Sequence, residues 1–177
     1  PRWISQLMLR GLHDEREGGQ SRKHLAASSS ELLYSTSVKT NRYEMQWKNG
    51  FTLNADHNTS IALMLHGSWH DADNMFGTTQ YDVTQKNGYA QLMFETDITE
   101  NHNVSLGASF NHDYYDERFN PLGALPKAES KVTKETTPGL YAQYTYKLGD
   151  KLTVMPGVRW DHSNLYGSFL TDRKSVV

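Results

Sequence analysis

The sequence predicts an all-β chain: an antiparallel up-and-down meander of about seven or eight long strands, forming part of a transmembrane β-barrel. Three observations predict it. Apolar and polar residues alternate along most of the 177 residues, short polar turns separate the alternating segments, and aromatic residues make up 11% of the chain. The low mean hydropathy of -0.70 agrees with a membrane barrel, because only every second side chain of such a strand meets lipid. No stretch approaches the roughly 20 consecutive apolar residues of a membrane-spanning helix.

Alternation with a period of two residues indicates a strand with one apolar and one polar face. All eight positions from Val104 to Asn111 fit this pattern. It recurs, in chain order, in the segments 42–53, 61–69, 90–95, 140–147 and 152–161, and it is least regular in the segment 3–11. No segment shows a sustained helical period, so we expect strands throughout.

The predicted connections alternate between short and long. Short polar turns are expected at 55–58, 100–103 and 148–151, and long connections at 13–33, 71–85 and 117–136. This rhythm is typical of outer-membrane barrels, which have tight periplasmic turns and long outer loops. Predicted strands of about ten residues or more also match the roughly 9–11 residues that cross a bilayer at a tilt.

Aromatic residues cluster near the strand ends, as two aromatic girdles at the membrane surfaces would require. Those near a short turn are Trp47 and Phe51; those near long connections are Trp69, Tyr114, Tyr115, Trp160 and Tyr166. The alternative is that aromatic residues simply favour strands. Pro156 is an exception within a predicted strand, because proline cannot donate to the ladder. Either a bulge or a position on an edge strand would accommodate it.

Composition excludes several function classes. A net charge of -2 gives no basic surface for nucleic acid. The absence of cysteine excludes disulfides, thiolate metal sites and cysteine nucleophiles. No nucleophile–base arrangement, phosphate loop or HExxH motif is present, so we do not expect an enzyme. His66 and His70 would lie roughly 13 Å apart along one strand face, too far for a shared metal ion.

Two polar segments are candidate ligand-binding sites on an outer loop or at the barrel rim. Residues 70–74 carry carboxylates that could bind calcium, although the EF-hand pattern is absent and a solvated loop is the alternative. Residues 112–117 could contact a substrate by stacking and hydrogen bonding, or could be interfacial tyrosines beside solvated acids. The candidate ligand-binding residues are His70, Asp71, Asp73, Tyr114, Tyr115 and Asp116. Arg159 and Asp161 are expected to share the polar face and to pair there.

The segments 39–51, 63–77 and 78–96 resemble barrel strands of TonB-dependent outer-membrane receptors, of the colicin I, catecholate-siderophore and cobalamin receptor-like group common in Bacteroidetes. The most specific resemblance lies in 136–173, where a strand ends in a short turn and the next carries Gly-x-Arg-x-Asp as Gly157, Arg159 and Asp161. Two departures stand out. Pro156 replaces a residue that is usually small, and Thr171-Asp172-Arg173 stands where Thr-Pro-Arg is common.

The resemblance implies a place in the bacterial outer membrane and the import of a scarce nutrient, such as an iron–siderophore, haem or a cobalamin-like ligand. It implies three partners: outer-membrane lipid, the small nutrient ligand and, through a plug domain, the TonB energising complex. Beyond calcium in an outer loop, no cofactor is expected. The family's barrels have 22 strands, so we expect residues 1–177 to be a single barrel segment, with the plug domain and the other strands outside it.

Two alternatives remain open at the level of the sequence. One is a soluble β-barrel of lipocalin size, with its apolar faces turned inward around a small ligand. The other is a small outer-membrane barrel that serves as an anchor or adhesin.

Overall fold

The computed structural model describes residues 2–20, 34–121, 128–149 and 152–176. They form eight strands, which confirms the all-β prediction and the strand number. The described residues contain no helix long and apolar enough to span a bilayer. The strands are β1 (Arg2–Gly19), β2 (Ser35–Asn54), β3 (Thr59–Phe76), β4 (Thr79–Thr99), β5 (His102–Pro121), β6 (Glu129–Leu148), β7 (Leu152–Ser163) and β8 (Gly167–Val176).

The strands form one sheet in their sequence order, and each pairs antiparallel with the next. This order confirms the up-and-down meander. Among the described residues β1 and β8 do not pair with each other, so the sheet is open. Both alternatives from the sequence, a lipocalin-sized barrel and a small outer-membrane barrel, would need that pairing to close. The open sheet fits part of a larger barrel.

The strands are longer than predicted, and two of the predicted long connections are wrong. β3 runs to Phe76 and β4 begins at Thr79, so a tight turn at Gly77 (φ 62°) replaces the long loop expected at 71–85. β5 and β6 likewise extend into the segment 117–136. Of the predicted connection at 13–33, residues 13–19 belong to β1, Gln20 follows that strand, and 21–33 lie outside the described residues.

These two errors have one physical cause. β1 to β6 contain 18 to 21 residues each, about twice the 9–11 needed to cross a bilayer. Beyond the membrane a strand no longer needs an apolar face, so the alternation disappears while the ladder continues. The short turns were predicted correctly at 55–58 and near 100–101, and a turn at Gly149 begins the third, whose residues 150–151 lie outside the described ranges.

Alternation gives the sheet two chemically distinct faces. We call the face that carries Leu106 and Phe110, with the side chains in register with them, the outer face. The opposite one, with Ser105 and Ser109, is the polar face. Leu106 and Phe110 are 44% and 48% exposed. Of the seven buried residues in the described ranges, six lie on the polar face. Side chains converge on the concave side of a curved sheet, so the polar face is the concave one.

The outer apolar band shifts across the sheet, and the shift gives the strand tilt. In β2 the band ends at Tyr43, which pairs with Trp69 of β3. In β7 the band ends at Trp160. Following the paired residues from Trp160 back across β6, β5 and β4 leads to Leu63 of β3, which lies six residues before Trp69. Six residues are about 20 Å, and the five strand spacings from β2 to β7 are about 24 Å. The resulting tilt of about 40° is that of membrane barrels.

Pro156 lies within β7, which pairs with both β6 and β8, so β7 is not an edge strand. The β6–β7 ladder is interrupted between the pairs Gln143–Gly157 and Tyr146–Val154, and no register shift occurs there. Neither explanation suggested by the sequence is correct. The proline, which has no N–H to donate, leaves a local gap in the ladder and keeps the register.

Candidate functional site

The six candidate ligand-binding residues divide between the two faces of the sheet. His70 and Tyr115 lie on the polar face, whereas Asp71, Asp73, Tyr114 and Asp116 lie on the outer face. All six belong to strands, β3 or β5, and not to a loop; the alternative position at the barrel rim stays a prediction. Successive side chains of a strand point to opposite faces, so neighbours in sequence such as Tyr114 and Tyr115 cannot act at one site.

On the polar face, three side chains from neighbouring strands stand in one row. His70 pairs with Gln85, which pairs with Tyr115. Gln85 Nε2 donates a hydrogen bond to Tyr115 Oη at 2.8 Å, and the Tyr115 hydroxyl keeps its own proton for a further acceptor. His70 Nδ1 is shielded from solvent and has no hydrogen-bond partner among the described residues. The row spans roughly 10 Å, or two strand spacings.

Next along the polar face, Asn87 connects three strands. Its Oδ1 lies 3.3 Å from His66 Nδ1. Its Nδ2 donates to Asn111 Oδ1 at 2.9 Å and to Asp113 Oδ1 at 2.7 Å. Sequence reasoning missed both Gln85 and Asn87, because no motif marks them and only the register between strands brings their partners together. The amides and hydroxyls of this surface can bind an oxygen-rich ligand.

Arg159 and Asp161 form the pair that their spacing predicted. Arg159 Nε and Nη2 each donate to the carboxylate at 2.7 Å, and Nη2 also donates to Ser109 Oγ at 3.1 Å. Asp161 is 6% exposed. Because Ser109 lies on β5, two strands away, this pair joins separate strands on the polar face.

The candidate acids on the outer face lie beyond the apolar band, outside the membrane-spanning part of the strands. Asp71 accepts a hydrogen bond from Thr84 Oγ1 at 2.6 Å, and Asp116 pairs with Arg118 at 3.1 Å. Partial burial, and repulsion from Asp71 and Asp82, raise the pKa of Asp73. In the described ranges no three histidine, aspartate or glutamate side chains are arranged to hold a metal ion. Calcium binding stays a prediction without a ligand set.

The predicted aromatic residues also divide by face. Tyr43 and Trp69 stack on the outer face, with ring centroids 5.6 Å apart, and Trp3 stacks on Phe51 nearer the short turns. Tyr114 lies in the same row as Trp69, with Lys86 between them. Tyr115 faces the opposite way, so its assignment to a girdle was wrong.

The family model described as "TonB dependent receptor-like, beta-barrel" matches residues 11–175. No curated protein sequence matches the chain. Similar solved structures include the alcaligin outer-membrane receptor FauA from Bordetella pertussis, 12% identical over 99% of this chain and 34% of its own, with a TM-score of 0.57. The copper transporter OprC is 8% identical over 95% and 33%, with a TM-score of 0.59. The ferric yersiniabactin uptake receptor FyuA from Yersinia pestis is 15% identical over 85% and 26%, with a TM-score of 0.50.

At these identities the likeness to solved structures shows the fold. The chain spans about a third of the length of the first two structures and about a quarter of the third. In the fold it matches, the apolar outer face is the one that meets lipid and the polar face is the one that lines the lumen.

Proposed function

The chain belongs to the TonB-dependent receptor-like β-barrel family, and from that premise we propose that the protein imports a scarce nutrient through its polar lumen. Membership of this family makes it a protein of the bacterial outer membrane. The family and the similar structures are receptors and transporters, not enzymes. The nutrient we propose is an iron–siderophore, haem or a cobalamin-like ligand.

The observation that carries this proposal is the polar row His70, Gln85 and Tyr115. It faces the lumen side, and Tyr115 is 36% exposed with a hydroxyl proton available for a ligand oxygen. Neutral donors and acceptors of this kind suit a ligand that presents many oxygen atoms and binds reversibly. We therefore place the ligand contact at His70 and Tyr115. The other four candidates face away from the lumen and are not part of this contact.

The partners follow from the same proposal. A plug domain would occupy the lumen, and the TonB energising complex would act on that plug. Outer-membrane lipid would surround the apolar outer face. Calcium at Asp71 or Asp73 is not required by this arrangement.

Uptake in living cells tests the function. The protein is expressed in a Gram-negative strain that lacks its own receptors for ferric siderophores, haem and cobalamin, and growth is measured on each nutrient in turn. We expect growth on one of these ligands, and loss of that growth when TonB is deleted. Growth on none of them, from correctly inserted protein, would refute import of these three classes of nutrient.

Two neighbouring tyrosines test the ligand contact. Tyr115→Phe removes the lumen-facing hydroxyl, and Tyr114→Phe makes the same change on the outer face. One hydrogen bond contributes about 0.5–1.5 kcal/mol, so we expect Tyr115→Phe to weaken ligand binding roughly 2- to 10-fold and Tyr114→Phe to leave it unchanged. His70→Ala should weaken binding to a similar degree, and His112→Ala on the outer face should not. Equal effects within each pair would contradict the placement.

A further inference from the structure

A second group of side chains, on the outer face, has the chemistry of an anion site. Lys86, Tyr114 and Lys134 are in register on β4, β5 and β6. The Nζ atoms of both lysines lie 5.7 Å from the centroid of the Tyr114 ring. An aromatic ring attracts cations to its face, so Tyr114, on the strand between them, holds both ammonium groups beside its ring.

Neither lysine has a carboxylate partner within the described residues. All the ion pairs found there involve other bases: Lys39 binds Glu15, for example, and Arg118 binds Asp116. The nearest outer-face acids, Asp71 of β3 and Asp116 of β5, lie two residues farther from the apolar band. Asp71 is hydrogen-bonded there to Thr84, and Asp116 is paired with Arg118. Two exposed ammonium groups are therefore available to an anion from outside the chain.

The lysines stand at the height of the lipid headgroups. Each lies four residues beyond the end of the continuous apolar run on the outer face of its strand, which is Ala90 in β4 and Pro138 in β6. Four residues are roughly 13 Å along a strand, and about 10 Å in height at a tilt of about 40°. The headgroup layer is about 5–8 Å deep, and a lysine side chain can reach back toward the apolar boundary. A phosphate in that layer is within reach of both ammonium groups.

Next to Lys86, on the side toward the membrane, two neighbouring outer-face positions have no side chain. Gly67 of β3 pairs with Gly88 of β4. A Cβ added at Gly88 would meet nothing within 4 Å, and one at Gly67 would meet only a backbone oxygen at 4.0 Å. Gly67 also borders a shallow apolar depression of about 590 Å³ beside Tyr43, Met45 and Trp69. The notch formed by Gly67 and Gly88 leads from Lys86 down to the lipid-facing surface.

We propose that Lys86, Tyr114 and Lys134 bind the phosphate of an outer-membrane lipid, with one of its acyl chains lying in the notch formed by Gly67 and Gly88. The two lysines neutralise the phosphate, and the tyrosine ring keeps them together. Free phosphate would use only the lysines, whereas a lipid also fills the apolar notch. The site rests on membership of the family and on the outer face alone, so it stands independently of nutrient import.

Lipid binding to the purified full chain in detergent tests the proposal. The probe is lipid A, a phosphorylated acylated sugar, and its phosphate-free form is the comparison. An anionic lipid gains about 1 kcal/mol per nearby lysine, which is about fivefold. We expect Lys86→Gln combined with Lys134→Gln to weaken lipid A binding roughly 30-fold, and the two corresponding arginine substitutions to retain it.

A matched control makes the same charge change farther from the membrane. Lys39→Gln combined with Arg118→Gln removes two outer-face bases that already have acidic partners, four residues beyond the row of Lys86 and Lys134. We expect this variant to bind lipid A as the unchanged chain does. Gly88→Val fills the notch and should weaken binding severalfold without changing any charge, whereas Gly50→Val, at an equally open position on the polar face, should not.

Three results would overturn the proposal. The first is equal binding of lipid A and its phosphate-free form. The second is equal loss of affinity in the two doubly substituted variants. The third is displacement of lipid A by inorganic phosphate at the same concentration as lipid A itself, which would indicate a simple anion site. Circular dichroism of each variant verifies that the strands remain intact.

Discussion

Gly139→Ala is expected to destabilise the protein through a single atom. The added Cβ would lie 2.1 Å from Asp161 Oδ1, 2.9 Å from Ser109 Oγ and 3.1 Å from Arg159 Nη2. Ordinary contacts begin at 3.4 Å, so the carboxylate must retreat by more than about 1 Å, beyond the range of its 2.7 Å hydrogen bond from Arg159 Nη2. Gly139 is therefore required by the Arg159–Asp161 pair.

The cost has two parts. Overpacking in a filled site costs about 1–3 kcal/mol. The ion pair adds under about 1 kcal/mol, because the Arg159 side chain is 42% exposed and water screens the interaction. We expect a loss of about 2 kcal/mol in the free energy of unfolding. With a denaturant slope near 2 kcal/mol per molar, this lowers the urea midpoint by about 1 M.

Urea unfolding of the full chain in detergent micelles, followed by fluorescence of its four tryptophans, measures this loss. Gly50→Ala is the matched control. It is also a polar-face strand glycine, but its added Cβ meets nothing within 4 Å, so stability should stay constant or rise by up to about 1 kcal/mol. Equal midpoints for Gly139→Ala and Gly50→Ala would refute the reasoning.

A double-mutant cycle identifies the atom responsible. If the Asp161 carboxylate is what the new methyl group meets, then Asp161→Ala removes the clash. Gly139→Ala should then cost about 1–2 kcal/mol less in the Asp161→Ala background. Additive costs would show that the backbone, and not the carboxylate, resists the methyl group.

Two further predictions concern the outer face. Leu92→Arg places a charge in the middle of the apolar run of β4, between Ala90 and Phe94, and should destabilise the protein refolded in phosphatidylcholine vesicles by about 2–4 kcal/mol. Gln91→Arg, one residue away on the polar face, should cost less than about 1 kcal/mol. Equal costs would contradict the difference between the faces, and a larger cost for Gln91→Arg would mean that the faces are assigned the wrong way round. Asp73→Asn should stabilise the folded state at neutral pH, because burial and the charges of Asp71 and Asp82 raise the pKa of Asp73. A raised carboxyl pKa favours folding at low pH, and stability is lost as the pH rises through the pKa of the folded state. The stability gained by Asp73→Asn should therefore shrink in urea titrations at acidic pH. A larger gain at acidic pH would contradict this account.

The sequence predicted the part of each strand that meets lipid. There the environment differs between the two faces, so alternation is imposed on every residue, as in Val104 to Asn111. The same pattern failed at 71–85, because water bathes both faces of a strand beyond the membrane. Asp71 and Thr84 therefore read as loop residues, although they pair across β3 and β4.

The candidate site was harder to predict than the fold, because it depends on register. Tyr115 is hydrogen-bonded to Gln85, thirty residues earlier, and nothing in either local sequence indicates the other. Tyr114 and Tyr115 were assigned together from their adjacency. Adjacent residues of a strand lie on opposite faces. Tyr115 is therefore part of the proposed nutrient contact in the lumen, and Tyr114 is part of the proposed lipid site.

The segment that most specifically resembles the family contains a stabilising contact between strands. In Gly-x-Arg-x-Asp, the Arg159–Asp161 pair is held against Ser109 of β5 and requires a residue without a side chain at position 139 of β6. The motif therefore constrains three strands at once, on a face where few apolar contacts are available. The contact gives this segment a structural role that does not involve ligand. It follows that substitutions at Arg159 or Asp161 should affect the unfolding midpoint more than the ligand affinity. Substitutions at His70 or Tyr115 should affect the ligand affinity more than the unfolding midpoint.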